Sequence, residues 1–480
     1  MIIPFLRLIS MLLMITSVTM FLPVGVAFAT GEHEVISSFL IPILFCWVVG
    51  PIVLALTRHR VFKLTIRGGF GAVALSWIFA SLIGAIPFMI SGSIPSFDDA
   101  LFESVSGFTT TGASILSNPE FLPRSINLWR SQMHWLGGMG IVALTVALLP
   151  LLGVGGFQLI KAETTGPEKG KITPKITMTA KILWFIYLGF TVIQTILLMF
   201  AGMDFIDAIS HTFATLGTGG FSSRVASVGS YNAVSVDVIC TVFMFLAGIN
   251  FSLYYYLIIG NGKEVLHNTE LKAYVGITAI AILGLTVFIL PMYGSFTQAL
   301  QYASFQAVSV MTTTGFVTAD YSLWVPAAQM ILFLLMFVGG CTGSTGGSIK
   351  VLRWVILAKQ MKLEMKRMLH PHGVFSIQLN NRVGRKDVVY SVAAFIFLYF
   401  MMVLITGIVA SLNGADLLTS FSASLALVGN IGPGFGDVGP TGNYAFFHPI
   451  AKYWFSFAMI AGRLELYTMV IFFTAMYWKK

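Results

Sequence analysis

The chain has 480 residues, of which 56% are hydrophobic and only 10% charged, with a mean hydropathy of +0.86. A soluble globular chain carries about 25% charged residues, so the composition excludes that class and indicates a polytopic membrane protein. The formal charge of +9 is divided among short stretches between apolar runs rather than gathered on one face, which argues against nucleic-acid binding.

At the N-terminus, Arg7, an apolar run from Leu8, and Ala27-Phe28-Ala29 have the layout of a signal peptide. The run lasts about twenty residues, however, the length of a span rather than of a signal core, and it is read as a retained first helix. Apolar windows at 6–29, 37–57, 68–92, 126–152, 182–203, 233–260, 273–294, 325–357, 388–411 and 449–476 then predict about ten transmembrane helices.

The connections alternate in charge. One set carries Arg58, Arg60, Lys63 and Arg67, then Lys161 to Lys181, Lys263 and Lys272, and Lys359 to Lys386, with Lys479 and Lys480 at the end. The other holds Glu32, Glu34, Asp98, Asp99, Asp204, Asp207, Asp320, Asp416 and Asp437. The positive-inside rule places the basic set and both termini in the cytoplasm and the acidic set outside. The basic stretches 161–181 and 359–386 suit either anionic membrane lipid or a cytosolic partner. Cys46, Cys240 and Cys341 lie in apolar or glycine-rich spans without metal-ligand spacing, and are read as buried thiols.

After the first two spans, the chain repeats a unit of helix, short segment and helix. Asp98 to Phe108, Phe205 to Leu216, Thr297 to Met311 and Ala415 to Val428 are too short to cross and read as re-entrant helices. Each is followed by a polar segment: Thr109-Thr110-Thr111-Gly112, Gly217-Thr218-Gly219-Gly220-Phe221, Thr312-Thr313-Thr314-Gly315-Phe316 and Asn430-Ile431-Gly432-Pro433-Gly434. With Gly112, Gly220 and Gly315 in register, Asp99 matches Asp207, and Glu103, His211 and Gln306 share a column that Ala423 completes. Asp99 and Asp207 are expected to accept the free amides at the start of their short helices. The Glu103 column is expected to buttress the polar strands by hydrogen bonding, with proton coupling as the alternative. Threonine and glycine at membrane depth, repeated four times about one axis, form a ring of carbonyls able to replace the hydration shell of a monovalent cation.

The architecture is therefore all-α: an N-terminal transmembrane hairpin (1–67) and four pseudo-symmetric helix–pore loop–helix repeats (68–157, 158–262, 263–386 and 387–480) around one pore. Within the third, the run 339–348, with Gly343, Gly346 and Gly347, is too rich in glycine to continue a helix and must line a cavity. It lacks the lysine placement of a phosphate loop. Arg463, inside the last predicted span, is functional by default or else a structural ion pair; Glu465, two positions on, cannot face it. Gly69 to Ala74 matches a loose dinucleotide pattern but opens a span and reads as packing. Trp129, Trp135, Trp324, Trp354 and Trp454 are expected to form interfacial belts. No His-Glu-x-x-His, Gly-x-Ser-x-Gly or paired-aspartate constellation occurs in the spans, which argues against an intramembrane enzyme.

The four polar segments, with Gly429 to Gly436 as the fourth, resemble those of the Trk/Ktr/HKT superfamily of potassium transporters, nearest its bacterial TrkH branch, which carries two extra N-terminal helices. The resemblance covers essentially the whole chain, although none of the segments has the full Thr-Val-Gly-Tyr-Gly of potassium channels. It implies a gated, channel-like pore for K⁺ uptake across the inner membrane, or alternatively a symporter coupled to H⁺ or Na⁺. K⁺ would be held by Thr110, Thr111, Gly112, Thr218, Gly219, Gly220, Thr313, Thr314, Gly315, Asn430, Ile431 and Gly432. The same resemblance implies that 339–348 and Arg463 gate the pore, that the chain forms a homodimer, and that a separate cytosolic TrkA-type subunit binding NAD or ATP regulates it. No organic cofactor is expected in this chain.

Overall fold

A computed structural model describes residues 2–57, 66–140, 176–373, 375–380, 382–383 and 386–478. The predicted positions 58–65, 141–175, 479 and 480, and with them most of the basic stretch 161–181, lie outside the described residues. The described residues are mostly helical; two-residue strands at Gln378–Leu379 (β1) and Arg382–Val383 (β2) pair antiparallel in a small hairpin.

The N-terminal part comprises α1 (Ile2–Thr19), α2 (Phe21–Thr30) and α3 (His33–Leu56). They pack on one another and on α4 (Ile66–Ile90), which opens the first repeat. Gly71 in α4 sits where an added Cβ would meet Phe5 and Tyr477, so the loose dinucleotide pattern is indeed a packing surface.

Each repeat begins with an outer helix: α4, α7 (Ile176–Phe200), α12 (Thr269–Tyr293) and α16 (Lys386–Leu412). Each outer helix packs against the short helix that follows it: α5 (Phe97–Phe108), α8 (Phe205–Gly217), α13 (Phe296–Met311) and α17 (Leu417–Val428). The outer helices expose apolar side chains such as Phe185, Ile280, Val287 and Phe397. Such a surface suits hydrocarbon, not water. The short helices are buried inside the ring.

The inner helices carry more breaks than the interruption expected at 339–348 in the third. They are α6 (Arg124–Gly138), α9 with α10 (Val234–Ala247 and Phe251–Ile258), α14 with α15 (Pro326–Leu335 and Val351–Leu369), and α18 with α19 (Pro449–Arg463 and Tyr467–Val470). The second bends by 93° and the fourth by 118°. The third gives way to irregular backbone from 336 to 350, and the first ends at Gly138. Among the described residues, six helices are long and apolar enough to cross a membrane, or eight if each bent pair is one span. Two short helices complete the chain, α11 (Gly262–Leu266) and α20 (Ala475–Trp478).

Neighbouring repeats lock through the inner half-helices: α6 packs on α8, α9 on α13, and α18 on α5. Phe333 of α14 stacks on Phe421 of α17 at the remaining junction. The N-terminal hairpin is tied in by Glu32, which accepts from the amides of Arg124 and Ser125 at 2.7 and 3.0 Å. Two of the tryptophans expected in an interfacial belt are buried instead. Trp129 and Trp324 are buried, and all five indole N–H groups donate within the protein, as Trp129 does to the Gly84 carbonyl at 3.0 Å. A buried indole must satisfy its donor, and these find partners on adjacent helices rather than at a lipid boundary.

Candidate functional site: a ring of four backbone segments

Every short helix ends the same way. Thr111, Gly219, Thr314 and Ile431 donate their amides five residues back, to Ser106, Ala214, Ser309 and Ala426, at 2.8–2.9 Å. The residue before each of them is left-handed: Thr110, Thr218, Thr313 and Asn430, with φ between 53° and 60°. This is a Schellman termination built four times. Threonine is a costly choice there, because a β-branched side chain crowds the left-handed region.

Two residues beyond each left-handed position lies a glycine with positive φ: Gly112, Gly220, Gly315 and Gly432 (77°, 78°, 81° and 96°). The intervening residue has negative φ, so handedness alternates along the segment. Alternating handedness turns successive carbonyls toward one side of the strand, as in backbone nests and filters.

The glycines also interlock. A Cβ at Gly112 would overlap the carbonyl oxygen of Gly219, one at Gly220 that of Thr314, and one at Gly315 that of Ile431. One at Gly432 would meet the carbonyl oxygen of Thr111. The contacts thus run from repeat 1 to 2, 2 to 3, 3 to 4 and back to 1, each glycine against the residue that precedes its counterpart. All twelve predicted filter residues come together in this closed ring. The side chains of Thr110, Thr111, Thr218, Thr313, Thr314, Asn430 and Ile431 are fully buried in it.

Behind the ring the four repeats differ. Glu103 accepts from Ser114 Oγ and the Ile115 amide, both at 3.0 Å. His211 Nε2 and Ser222 Oγ share a hydrogen bond of 2.9 Å. Gln306 reaches Thr318 and Ala319 only at 3.4 Å. Ala423 has nothing to offer, and its neighbour Ser422 takes over, bonding both the amide and the carbonyl of Phe435. The buttressing column is real in three repeats and displaced by one residue in the fourth.

The expected capping aspartates are corrected. Asp99 and Asp207 lie in the third helical position, too far along to cap. Asp99 pairs with Lys452 of α18 at 2.5 Å, and Asp207 accepts from Ser223, Arg224 and Tyr231. The N-caps are Asp204 and Asp416, which accept from the amides of Asp207 and Thr419, each at 2.9 Å. Burial works to raise the Asp204 carboxyl, but the Asp207 amide and the Arg124 guanidinium outweigh it and hold it below its usual range. Bonds from Thr419 do the same for Asp416.

Several residues of the site were not anticipated. Arg130, buried in α6, binds Glu103 through Nε and Nη2 at 2.9 and 2.7 Å. His134 bonds the Gly107 carbonyl at 2.8 Å and accepts from the Phe221 amide at 3.3 Å, joining the first short helix to the second strand. Tyr444 Oη donates to the Gly432 carbonyl and Tyr321 Oη to that of Gly434, both at 2.9 Å. The intramembrane rule applied to Arg463 would also have flagged Arg130 and His134, which lie within the same kind of apolar window.

The run 339–348 crosses beneath the ring. The Gly347 amide donates to Thr313 Oγ1 at 2.6 Å and the Ser348 amide to the Gly429 carbonyl at 2.8 Å. Gly347 lies so near that carbonyl that a Cβ would overlap it, while a Cβ at Gly346 would press on the Thr312 carbonyl oxygen. On the other side, Cys341 donates to the Gly248 carbonyl and Phe251 to that of Gly343, docking the run into the break between α9 and α10. Gly343 adjoins Asn250 at this break. Arg463, at the end of α18, donates to the Thr345 carbonyl at 2.6 Å and to those of Gly137 and Gly138 at 2.6 and 3.0 Å. It therefore joins the run to the C-terminus of α6, where a cation is favoured. Glu465 pairs instead with Arg353.

Residues 35–480 match the model of the TrkH family, described as a cation transport protein. The chain is 37% identical to the Trk system potassium uptake protein TrkH of Salmonella typhimurium, over 99% of both chains. It is 37% identical to the TrkH protein of Halomonas elongata, again over 99% of each. The crystal structure of the potassium transporter TrkH from Vibrio parahaemolyticus superposes with a TM-score of 0.88 at 34% identity, covering the whole of both chains.

Proposed function

The chain belongs to the TrkH family of cation transport proteins, and on that footing we propose that it takes up potassium through a gated, channel-like pore. The observation that carries this is the closed ring in which each filter glycine abuts the carbonyl of the next repeat. Thr110 to Gly112, Thr218 to Gly220, Thr313 to Gly315 and Asn430 to Gly432 would hold K⁺ as it sheds water. The short helices point their negative C-terminal ends at the same region, which favours a cation there. A membrane potential, negative inside, contributes about 2.3 kcal/mol per charge per 100 mV to entry.

In this reading the run 339–348 obstructs the path below the ring, with Gly346 and Gly347 against filter backbone and Gly343 in the α9–α10 break. Arg463 adds a positive charge at the same depth. Coupling to H⁺ or Na⁺ is the weaker reading, since Glu103 and His211 are both committed to buttressing bonds.

The five-part division at 67, 157, 262 and 386, the inner-membrane location with both ends cytoplasmic, and the homodimer belong to the same proposal. The relatives' names place them in a Trk system. A cytosolic, nucleotide-binding partner of TrkA type would dock on the basic stretches 161–181 and 359–386.

Cation flux into liposomes containing this chain tests the reading, with K⁺, Rb⁺, Na⁺ and Li⁺ compared while pH is varied. Flux that prefers K⁺ and Rb⁺, follows voltage and ignores a proton gradient is expected. Absence of monovalent-cation flux, with and without the cytosolic partner, would overturn it.

A further inference from the structure

The run beneath the ring has two ends, and one carboxylate holds both. Glu270, in the first turn of α12, is only 5% exposed. Its Oε1 accepts from the Thr342 amide at 2.6 Å, near the start of the run, and from the Leu352 amide at 3.1 Å, beyond its end. Leu352 lies in the first turn of α15, where free amides and the helix dipole favour an anion. Other attachments each hold a single point of the run: Cys341 at the Gly248 carbonyl, Gly343 at the Phe251 amide, Arg463 at Thr345, Lys350 at Gly346, Thr313 at Gly347 and Ser348 at the Gly429 carbonyl.

The same turn of α12 is connected outward. Asn268 caps the helix by accepting from the Leu271 amide at 2.8 Å, and the Thr269 amide donates to Asn380 Oδ1 at 2.9 Å. Asn380 is at the tip of the β1–β2 hairpin, and the half-buried Lys359 holds that hairpin through the Gln378 carbonyl at 2.6 Å. Consecutive residues of one helical turn thus face an exposed hairpin on one side and the pore-crossing run on the other.

We propose that Glu270 is a positioning residue that pins the run across the pore by its two ends, so that a displacement of the β1–β2 hairpin and the α12 N-terminus releases it. Its consequence for transport rests on the gating role proposed above for 339–348; its consequence for the run's position does not. A buried carboxylate suits this task because losing either amide leaves it poorly compensated, which makes the two ends move together.

Cys341 reports on the run directly. It is 1% exposed and reduced, and replacing the other two cysteines, the buried Cys46 and Cys240, by alanine gives a single-thiol background. Labelling of detergent-solubilised protein with a charged methanethiosulfonate is compared with K⁺ flux in liposomes. Glu270→Ala is expected to raise the Cys341 labelling rate at least about tenfold, as a larger population of the open run requires. Glu270→Gln, which keeps an acceptor oxygen, is expected to restore much of the protection. Where alanine prevents folding, Glu270→Asp withdraws the carboxylate from both amides and carries the same comparison. Unchanged labelling in a folded variant would overturn the proposal whatever the flux does. Raised labelling with unchanged flux would leave the anchor standing and defeat the gating role of 339–348 instead.

Discussion

Arg130 Nη2 lies 2.7 Å from Glu103 Oε1, with both side chains at most 3% exposed behind the first filter strand. The guanidinium also reaches the Ser222 carbonyl at 3.3 Å and lies 4.2 Å from the Phe221 ring centre, so one buried ion pair backs the strands of two repeats. Removing the cation strands a carboxylate inside the protein. Arg130→Ala is expected to destabilise the fold by about 3–5 kcal/mol, read as a lower melting temperature of the purified protein. The double variant Arg130→Met, Glu103→Met should recover much of that loss, because a matched apolar pair leaves no charge unpaired.

Arg463→Ala removes a positive charge from below the ring and frees the Thr345 carbonyl. K⁺ flux into liposomes is expected to rise about tenfold, equivalent to about 1.4 kcal/mol of barrier. A fall in flux by a folded variant would remove Arg463 from the gate.

Shortening the run by deleting residues 343–346 is expected to raise flux at least as far while leaving the K⁺/Na⁺ ratio unchanged, since the ring above is intact. Unchanged or lower flux in a folded, inserted variant would count against the obstruction.

Gly220→Ala places a methyl group on the Thr314 carbonyl oxygen at a backbone angle of 78°. The strand must shift, and the expected outcome is loss of K⁺ preference over Na⁺ in competitive flux, with total flux reduced. The same substitution at Gly260, which has a similar φ and open space around it, serves as the control for backbone strain alone.

The caps at Asp204 and Asp416 give a pH signature. Both carboxyls titrate below their usual value in the folded protein, so their contribution is complete above the ordinary carboxylate pKa of about 3.9 and is lost as pH falls through the folded value. Asp416→Ala should lower the melting temperature at neutral pH, and the gap from the unmodified protein should shrink below about pH 4.

The four filters, the glycine register, the break at 339–348 and Arg463 were legible because each is a local departure from an apolar background. Glu103, His211 and Gln306 were legible as a column because the repeat supplies its own alignment. What could not be read was long-range. Asp99 looked like a cap until Lys452, more than three hundred residues later, was placed beside it. Glu270 stands just outside the window 273–294, and nothing local marks it as buried against a segment about seventy residues away. Trp129 and Trp324 sat where a belt would be, yet the added N-terminal helices and the third repeat cover them. The breaks in the second and fourth inner helices escaped hydropathy because a break leaves the average of a window nearly unchanged.

The breaks in the second, third and fourth repeats fall just beneath the ring, where Gly248, Met336 and Leu464 cap their half-helices. An unbroken helix presents only side chains to its surroundings; an interrupted one turns its last carbonyls outward. A bare charge is most costly at the middle of a bilayer, where the hydrocarbon is driest. In this structure Arg463 and the Cys341 amide take up such carbonyls at Gly137, Gly138 and Gly248; under the proposed function, displacing them would let an ion that has given up its water in the ring meet oxygens able to stand in for a partial hydration shell.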